Sequence, residues 1–334
     1  MRPEDTFSSL RYGEFGDPEA VLAVESRPFE RLGPGDLRVR VGLSPINPSD
    51  LLPVRGAYRH RTRVPATPGY EGVGVVTEVG SDVQPSWLGR MVLPLRGEGL
   101  WQQYIVAPAA WAIGVPESVD LETASQVYIN PMTAWLIAKQ LPLTSDDVVV
   151  ANAAGSSLGR AFCGLSRTLG YRLIAVCRTR EHTAQLQELG AWAVISHLAQ
   201  GALPEAVMEI TRGAGASVAL DSVGGMDGKA LIRCLRPGGT VLQVGLLSGI
   251  PLDGIQLAQQ YPEVRVRPFW LRRWQESVSS EKWHQAFAEL WALIRAGRLD
   301  IAPGSARYRL HDFSAAFSAD RAWGRAGKGL FSPY

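Results

Sequence analysis

The chain has 334 residues, enough for about two domains, and its 46% hydrophobic and 20% charged residues are typical of a globular protein with a large core. A net charge of +2 gives no reason to expect a nucleic acid or an anionic membrane as a partner. No apolar run is long enough to span a membrane, and the first ten residues (MRPEDTFSSL) have the features of neither a secretory signal nor a transit peptide, so we expect a cytoplasmic protein.

The first third of the chain is predicted to be rich in β-strands. The predicted strands are Leu37–Val41, Glu71–Val79, Met91–Leu95 and Trp101–Val106. Short strands separated by Gly, Pro, Asp and Ser favour a compact barrel or sandwich. In the segment Ser44–Tyr58 (SPINPSDLLPVRGAY), two prolines flank Asn47 and predict a rigid loop. Ser49 or Asp50 is then expected to cap a short helix.

From residue 121 onward the pattern changes to alternating helices and strands. Glu122–Lys139 is predicted to be helical on either side of Pro131. The predicted strands that follow are Val148–Val150, Leu173–Cys177, Trp192–Ile195, Ser217–Leu220 and Thr240–Val244, and the helices between them include Leu203–Thr211 and Met226–Leu235. Such alternation predicts an α/β fold with a doubly wound parallel sheet.

The C-terminal part is predicted to close the fold. Trp283–Ala296 reads as an amphipathic helix that ends at Gly297. Two short strands, Tyr308–Leu310 and Gly329–Phe331, are expected on either side of a last helix, Phe313–Ala322.

The segment Val148–Gly170 combines a buried strand, a turn of small residues and a helix. This order is typical of the first half of a dinucleotide-binding unit, in which the turn and the helix start bind a pyrophosphate. The residues expected to bind the cofactor here are Gly155, Ser156, Ser157, Leu158 and Gly159. Ser157 stands where a further glycine is usual, and an ordinary tight turn is the alternative interpretation.

The tip of the second strand indicates which dinucleotide is bound. An NAD enzyme usually carries an acidic residue there, whereas this chain has Arg178 and Arg180. Guanidinium groups pair with phosphate through two hydrogen bonds, so we expect NADPH, with Arg178 on the 2′-phosphate and Arg180 in support. The alternative is that both arginines lie on a solvated loop.

Two later strand ends are expected to line the nicotinamide side of the same crevice. They carry the segments Asp221-Ser222-Val223-Gly224 and Gly245-Leu246-Leu247. For each of these residues a plain connection between strand and helix is the alternative.

The chain shows no spacing typical of a metal site. Its cysteines are Cys163, Cys177 and Cys234, which we interpret as core thiols in a reducing compartment. Its histidines are His60, His182, His197, His284 and His311, and they are scattered along the sequence. We therefore expect no metal.

Taken together, several short segments resemble the medium-chain dehydrogenase/reductase superfamily over essentially the whole chain. They are Ile46-Asn47-Pro48-Ser49-Asp50, Pro68-Gly69-Tyr70-Glu71-Gly72-Val73-Gly74, Asn130-Pro131-Met132-Thr133-Ala134, the turn 152–159 and Gly327-Lys328-Gly329. The resemblance implies a GroES-like β domain over residues 1–125, completed by 300–334, and a Rossmann domain over 126–299. It also implies a homodimer and places Asn130, Thr133 and Lys328 near the cofactor, although Lys328 is as easily a solvated residue.

Within that superfamily, this chain departs from the zinc alcohol dehydrogenases. Their zinc-ligand Cys and His are absent from the corresponding segments, which here are Pro45-Ile46-Asn47 and Gly69-Tyr70-Glu71. The resemblance therefore points to two zinc-free branches, the quinone oxidoreductases and the trans-2-enoyl thioester reductases. The INPSD segment and Gly56-Ala57-Tyr58 look closer to the second branch.

That branch implies hydride transfer from NADPH to the β-carbon of an α,β-unsaturated carbonyl or enoyl thioester. Tyr58 matches the family's acid and would donate a proton, and Asn47 would orient the substrate or the nicotinamide ribose. Tyr58 as a packing residue and Asn47 as an Asx-turn residue are the alternatives. A quinone reductase and a non-catalytic NADPH-binding protein are the rival functions.

Overall fold

A computed structural model describes residues 6–97, 99–196, 201–320 and 327–334. The chain divides into two compact units. The first unit comprises Met1–Ile129, Val278–Trp291 and Ile301–Tyr334, and the second comprises Asn130–Ser277 and Ala292–Asp300. The predicted domain boundaries assigned 278–291 to the nucleotide domain, whereas the structure groups this stretch with the first unit.

The described residues form the following strands and helices. The strands are β1 (Thr6–Tyr12), β2 (Leu22–Pro28), β3 (Asp36–Pro45), β4 (Val73–Val79), β5 (Met91–Leu93), β6 (Tyr104–Pro108), β7 (Ile113–Gly114), β8 (Val148–Ala151), β9 (Arg172–Val176), β10 (Ala193–Ile195), β11 (Ala216–Asp221), β12 (Leu235–Gln243), β13 (Arg265–Pro268), β14 (Ala306–Tyr308) and β15 (Gly329–Phe331). The helices are α1 (Pro18–Val21), α2 (Leu51–Val54), α3 (Leu121–Ser125), α4 (Asn130–Gln140), α5 (Ser157–Leu169), α6 (Thr183–Leu189), α7 (Leu203–Ile210), α8 (Gly225–Ile232), α9 (Gly254–Gln260), α10 (Leu271–Ser277), α11 (Ser280–Arg295) and α12 (Phe313–Asp320).

The second unit contains a six-stranded parallel sheet in the order β10-β9-β8-β11-β12-β13. Numbered from its own first strand, this order is 3-2-1-4-5-6, the order of a dinucleotide-binding Rossmann sheet. The central strands β8 and β11 are buried along their whole length, which explains the apolar run of β8 (VVVA) and the mainly apolar sequence of β11 (ASVALD). The predicted doubly wound α/β fold is confirmed.

The first unit is built on antiparallel strands. Its seven-stranded sheet has the order β14-β15-β3-β4-β5-β7, with β6 paired to the other edge of β3, and β1 pairs with β2 in a separate ribbon. Only β14 and β15 run parallel to each other. The four predicted strands of this region are present with shifted ends, whereas β1 and β2 were not predicted. The predicted β-rich domain is confirmed.

The C-terminus contributes directly to that sheet. Strand β15 pairs with the end of β3, where Leu330 faces Pro45. The last predicted helix begins at Phe313 as expected and is described as far as Asp320, while Ala322 lies outside the described residues.

The part of α11 that belongs to the first unit, up to Trp291, contributes to the packing of that unit. Trp283 is fully buried, and its indole N–H donates to the carbonyl of Trp111 at 3.1 Å. Its ring also packs against Tyr128 and Phe287. As predicted, the helix ends before Gly297, whose φ of 63° suits glycine.

The three cysteines are free and buried, as predicted. Burial raises the pKa of Cys163 and of Cys234 to about 12. Both thiols are therefore protonated and unreactive in the folded protein.

Candidate active site

Glu71 lies at the centre of a buried polar cluster in the first unit. Its Oε1 accepts hydrogen bonds from the Asn47 amide Nδ2 and the Lys328 ammonium, both at 3.0 Å. Its Oε2 accepts from the backbone N–H of Ile129 at 2.7 Å. Asn47, Glu71 and Lys328 are all buried. Burial without such partners would be costly for the carboxylate, so these contacts fix the position of each group.

The chain brings these residues together through pairing of β3 with β15. Asn47 follows β3 after one residue, and Lys328 directly precedes β15. The backbone N–H of Ile46 donates to the carbonyl of Gly329 at 2.9 Å, which holds the two strand ends side by side. A Cβ on Gly72 would lie 2.7 Å from the carbonyl oxygen of Leu43, so glycine is required where the Glu71 segment meets β3.

Asp50 connects two loops of the same cluster. Its carboxylate accepts from the backbone N–H of Asn47 at 2.8 Å and of Tyr70 at 2.9 Å. The contact with Asn47 belongs to the capping box of a short 3-10 helix, Pro48–Asp50. Asp50 makes no side-chain hydrogen bond to α2, which follows directly, so it takes part in the cap of the earlier short helix and not of α2.

Burial raises the pKa of Asp50 from 3.8 to about 7. The backbone hydrogen bonds from Asn47 and Tyr70 act in the opposite direction, Glu71 raises this pKa further, and Lys328 lowers it. One buried cation therefore faces two buried carboxylates.

Tyr58 lies in the turn that follows α2 and is half-buried. The guanidinium of Arg61 stacks on its ring, with the central carbon 3.9 Å from the ring centroid. Within the described part of the chain, the Tyr58 hydroxyl has no hydrogen-bond partner. The phenol is therefore held by its ring while its hydroxyl remains able to bind a ligand.

In the second unit, the predicted strand–turn–helix is present. Strand β8 ends at Ala151, and α5 begins at Ser157, capped by the Ser156 hydroxyl, which accepts from the N–H of Gly159 at 3.2 Å. A Cβ on Gly159 would lie 2.6 Å from the carbonyl oxygen of Ala154. Glycine is thus required at position 159 by packing between the turn and the helix.

Asn152 and Asp221 tie together the carboxyl ends of β8 and β11. The Asn152 amide donates to Asp221 Oδ1 at 2.7 Å, and its carbonyl oxygen accepts from the N–H of Ser222 at 2.7 Å. Asp221 Oδ1 also accepts from the N–H groups of Val223 and Gly224. The strand order of the sheet reverses between these two strands, and dinucleotides bind at such a point.

The tip of β9 presents cationic and hydroxyl groups. Arg178 and Arg180 are exposed, and Arg180 begins a short 3-10 helix, Arg180–His182. The hydroxyls of Thr179 and Thr183 are buried with no hydrogen-bond partner in the described structure. Unpaired buried hydroxyls beside two arginines fit a ligand that accepts hydrogen bonds, such as a phosphate.

His182 lies against the glycine-rich turn and was not predicted there. A Cβ on Gly155 would lie 2.8 Å from the imidazole Cδ2, so the absence of a side chain at position 155 makes room for this ring. The structure therefore brings His182 together with the predicted turn residues.

The remaining predicted cofactor residues occupy two places. Gly245, Leu246 and Leu247 follow β12, and Leu246 and Leu247 are 42% and 55% exposed. The N–H of Gly245 donates to the carbonyl of Asp221 at 3.2 Å. This bond joins the segment to the end of β11, beside the place where the strand order reverses. Asn130 and Thr133 lie in the first turn of α4, where Thr133 is buried.

Lys328 belongs to the first unit, where its ammonium is bound to Glu71. The residue is buried, so it is not the solvated lysine that was the alternative interpretation.

Two domain-family models match this chain. The alcohol dehydrogenase GroES-like domain matches residues 33–117, and the zinc-binding dehydrogenase model matches residues 157–292. The mitochondrial enoyl-acyl-carrier-protein reductase of Rattus norvegicus is 32% identical over 317 residues, which cover 93% of this chain and 84% of that protein. The chain belongs to the medium-chain dehydrogenase/reductase superfamily.

Solved structures of this superfamily have the same fold. A putative NADPH:quinone reductase from Bacillus thuringiensis is 41% identical, with a TM-score of 0.94, and the match covers 98% of this chain and 99% of that one. The Escherichia coli quinone oxidoreductase complexed with NADPH is 24% identical with a TM-score of 0.87, covering 98% of this chain and 100% of that one. A complex of Etr1p with NADP and crotonyl-CoA is also 24% identical, with a TM-score of 0.84, covering 98% and 99% of the two chains.

One of the matched models is described as zinc-binding. In the described ranges, no group of three or more His, Cys, Asp and Glu side chains is placed to hold a metal ion, and His197 lies outside those ranges. Among the described residues there is also no helix long and apolar enough to cross a membrane.

Proposed function

We propose that this chain is an NADPH-dependent oxidoreductase that reduces the C=C bond of an α,β-unsaturated carbonyl compound, with a 2-enoyl thioester as substrate. The observation that carries the proposal is the relationship to an enoyl reductase that extends over 93% of the chain. The free hydroxyl of Tyr58 supports it, because this reaction needs a proton donor as well as a hydride.

Bound NADPH would supply the hydride. The residues proposed to hold its pyrophosphate are those of the turn, Gly155 to Gly159. Helix geometry leaves the N–H groups of Ser157 and Leu158 without an intrahelical partner, and Ser156 already caps the third. These two donors and the positive end of α5 favour a phosphate at this place.

For the 2′-phosphate we propose Arg178, with Arg180 in support, and we add His182 and the hydroxyls of Thr179 and Thr183. The arginines supply charge, while the unpaired hydroxyls supply donors at fixed positions. For the nicotinamide end we propose Gly245, Leu246 and Leu247 after β12, together with Asn130 and Thr133 at the start of α4.

Tyr58 is proposed as the proton donor to the substrate. As charge develops on the carbonyl oxygen or the α-carbon, a phenol that is not already hydrogen-bonded can donate without breaking an existing contact. The test is Tyr58→Phe. Turnover of crotonyl-N-acetylcysteamine should fall at least about 100-fold, since general acid catalysis contributes about that much, while the dissociation constant of NADPH stays unchanged. Undiminished turnover would exclude this role.

Asn47 is proposed to orient the substrate or the nicotinamide ribose. Its Nδ2 is held by Glu71 at 3.0 Å, which fixes the position of the side chain. In this scheme Lys328 acts through Glu71 and holds the Asn47 amide in place.

Quinone reduction is the second candidate, favoured by the 41% identity to the putative NADPH:quinone reductase. NADPH oxidation measured with crotonyl-N-acetylcysteamine and with a quinone distinguishes the two. Tight NADPH binding without turnover on thioesters, enones or quinones would instead support a non-catalytic NADPH-binding protein.

A homodimer and a cytoplasmic location complete the proposal. The segment after β12 leaves Leu246, Leu247, Ile250 and Ile255 largely exposed, and such apolar side chains favour contact with a second copy. The free, buried cysteines suit a reducing compartment. Light scattering of Ile250→Glu/Ile255→Glu tests the dimer, since a dimer formed through this segment would dissociate.

A further inference from the structure

The turn around Tyr58 carries an unusual concentration of positive charge. In the nine residues from 55 to 63 (RGAYRHRTR), four are arginines, Arg55, Arg59, Arg61 and Arg63. No Asp or Glu occurs between residues 51 and 70, and the two flanking carboxylates, Asp50 and Glu71, are buried. All four arginines are exposed. The charge of this segment, which we call the arginine turn, is therefore not neutralised locally.

Two of these arginines are positioned by aromatic rings. Arg61 stacks on Tyr58 at 3.9 Å, and Arg59 lies over Phe15 at 5.6 Å, each distance joining the guanidinium carbon and the ring centroid. A guanidinium that stacks through its face keeps its N–H edges available for other partners. These contacts order the side chains without using their hydrogen-bond donors.

The arginines of this turn have no ion-pair partner among residues 6–97, 99–196, 201–320 and 327–334. Two exposed arginines elsewhere do have one, since Arg272 pairs with Glu276 at 2.6 Å and Arg307 with Glu122 at 3.0 Å. Four neighbouring guanidinium groups without carboxylates repel one another, and an anion that binds among them relieves this repulsion. Phosphate suits them best, because its oxygens accept paired N–H donors.

The arginine turn surrounds the proposed proton donor. The N–H groups of Arg61 and Thr62 donate to the carbonyl of Tyr58 at 3.0 and 2.9 Å, so donor and cations belong to one rigid turn. We propose that the arginine turn binds the phosphate groups of the carrier to which an enoyl thioester substrate is attached. This inference rests on the proposed function, and it favours the thioester over a quinone, because only a thioester carrier brings phosphates with the reacting group.

The test compares substrates that differ only in their phosphates. The variant is Arg59→Gln/Arg63→Gln, with Arg61 retained because it contacts Tyr58. Its KM for crotonyl-CoA should rise at least tenfold, while kcat/KM for crotonyl-N-acetylcysteamine, which lacks phosphate, stays within twofold of the parent protein. Arg90→Gln is the matched control, since Arg90 is exposed and stacks on Trp87 at 5.8 Å. It should change neither value.

Two further arms separate the possible outcomes. Crotonyl-acyl carrier protein carries its phosphate on a protein. If the variant's KM rises for this substrate and not for crotonyl-CoA, the arginine turn binds the protein-bound carrier. An equal effect of the variant on crotonyl-CoA, crotonyl-acyl carrier protein and the phosphate-free thioester would overturn the inference. If no thioester is reduced, the proposed function fails. Calorimetric measurement of coenzyme A binding then tests the arginine turn alone. Equal affinity of the parent protein and the variant for coenzyme A would overturn the proposed phosphate site.

Discussion

The Glu71–Lys328 pair allows a quantitative prediction for the substitution Lys328→Met. The two side chains are 1% and 9% exposed and lie 3.0 Å apart. Methionine fills a similar volume but leaves the Glu71 carboxylate buried with only the Asn47 amide and the Ile129 N–H as donors. Removing one partner of a buried ion pair costs about 3–5 kcal/mol. We expect a loss of this size in the free energy of unfolding of the first unit, measured by urea denaturation.

A double-mutant cycle tests the cause. Glu71→Gln removes the charge that needs Lys328, so the double variant Glu71→Gln/Lys328→Met should recover at least about 2 kcal/mol of the loss. Arg307→Met is the control, because its pair with Glu122 is 59% and 23% exposed and should be worth less than about 1 kcal/mol. If Lys328→Met costs no more than Arg307→Met, the cluster is not held together by charge and the reasoning is refuted.

Three other predictions concern pH, cofactor choice and the turn. The folded protein keeps a proton on Asp50 up to a pKa of about 7, whereas the unfolded chain releases it near pH 4. This group's contribution of up to about 4 kcal/mol to the free energy of unfolding is therefore lost as the pH rises from 4 to above 7. The thermal unfolding temperature should fall over this pH range, and less steeply in Asp50→Asn, whereas equal pH dependence of the two proteins would contradict the prediction. Arg178→Ala should weaken NADPH binding at least about tenfold and NADH binding little, as measured by fluorescence titration, and an unchanged preference would exclude the phosphate contact. Gly159→Ala should destabilise the second unit by about 1–3 kcal/mol in thermal unfolding, because its Cβ would meet the Ala154 carbonyl at 2.6 Å, and an unshifted transition would show that the turn can relax.

The parallel sheet could be predicted from the sequence because its signals are local. Each central strand is a short apolar run, and β8 and β11 are buried throughout, so composition alone marks them. Strand β1 (TFSSLRY) carries no comparable signal, because its buried positions do not alternate regularly and one of them is the polar Ser9. Its place depends on pairing with β2, which no short window of sequence contains.

In the candidate site, too, the features formed by contiguous residues were predicted and the contacts between distant residues were missed. The glycine-rich turn was predicted because strand, turn and helix start are contiguous. Glu71 as the centre of the cluster was missed, since its partners Asn47 and Lys328 are 24 and 257 positions away. His182 was missed as well, and the only sequence signal for it is Gly155, whose absent side chain accommodates the imidazole.

The late position of Lys328 has a consequence for how the protein is made. During synthesis, Asn47, Glu71 and Ile129 leave the ribosome long before Lys328 and strand β15. Until Lys328 emerges, the Glu71 carboxylate lacks the ammonium that accompanies it in the folded first unit, so the nascent chain must keep this carboxylate hydrated. A chain that stops before Gly327 would therefore lack both the ammonium and β15, and the buried cluster around Glu71 would form only after this segment has been made.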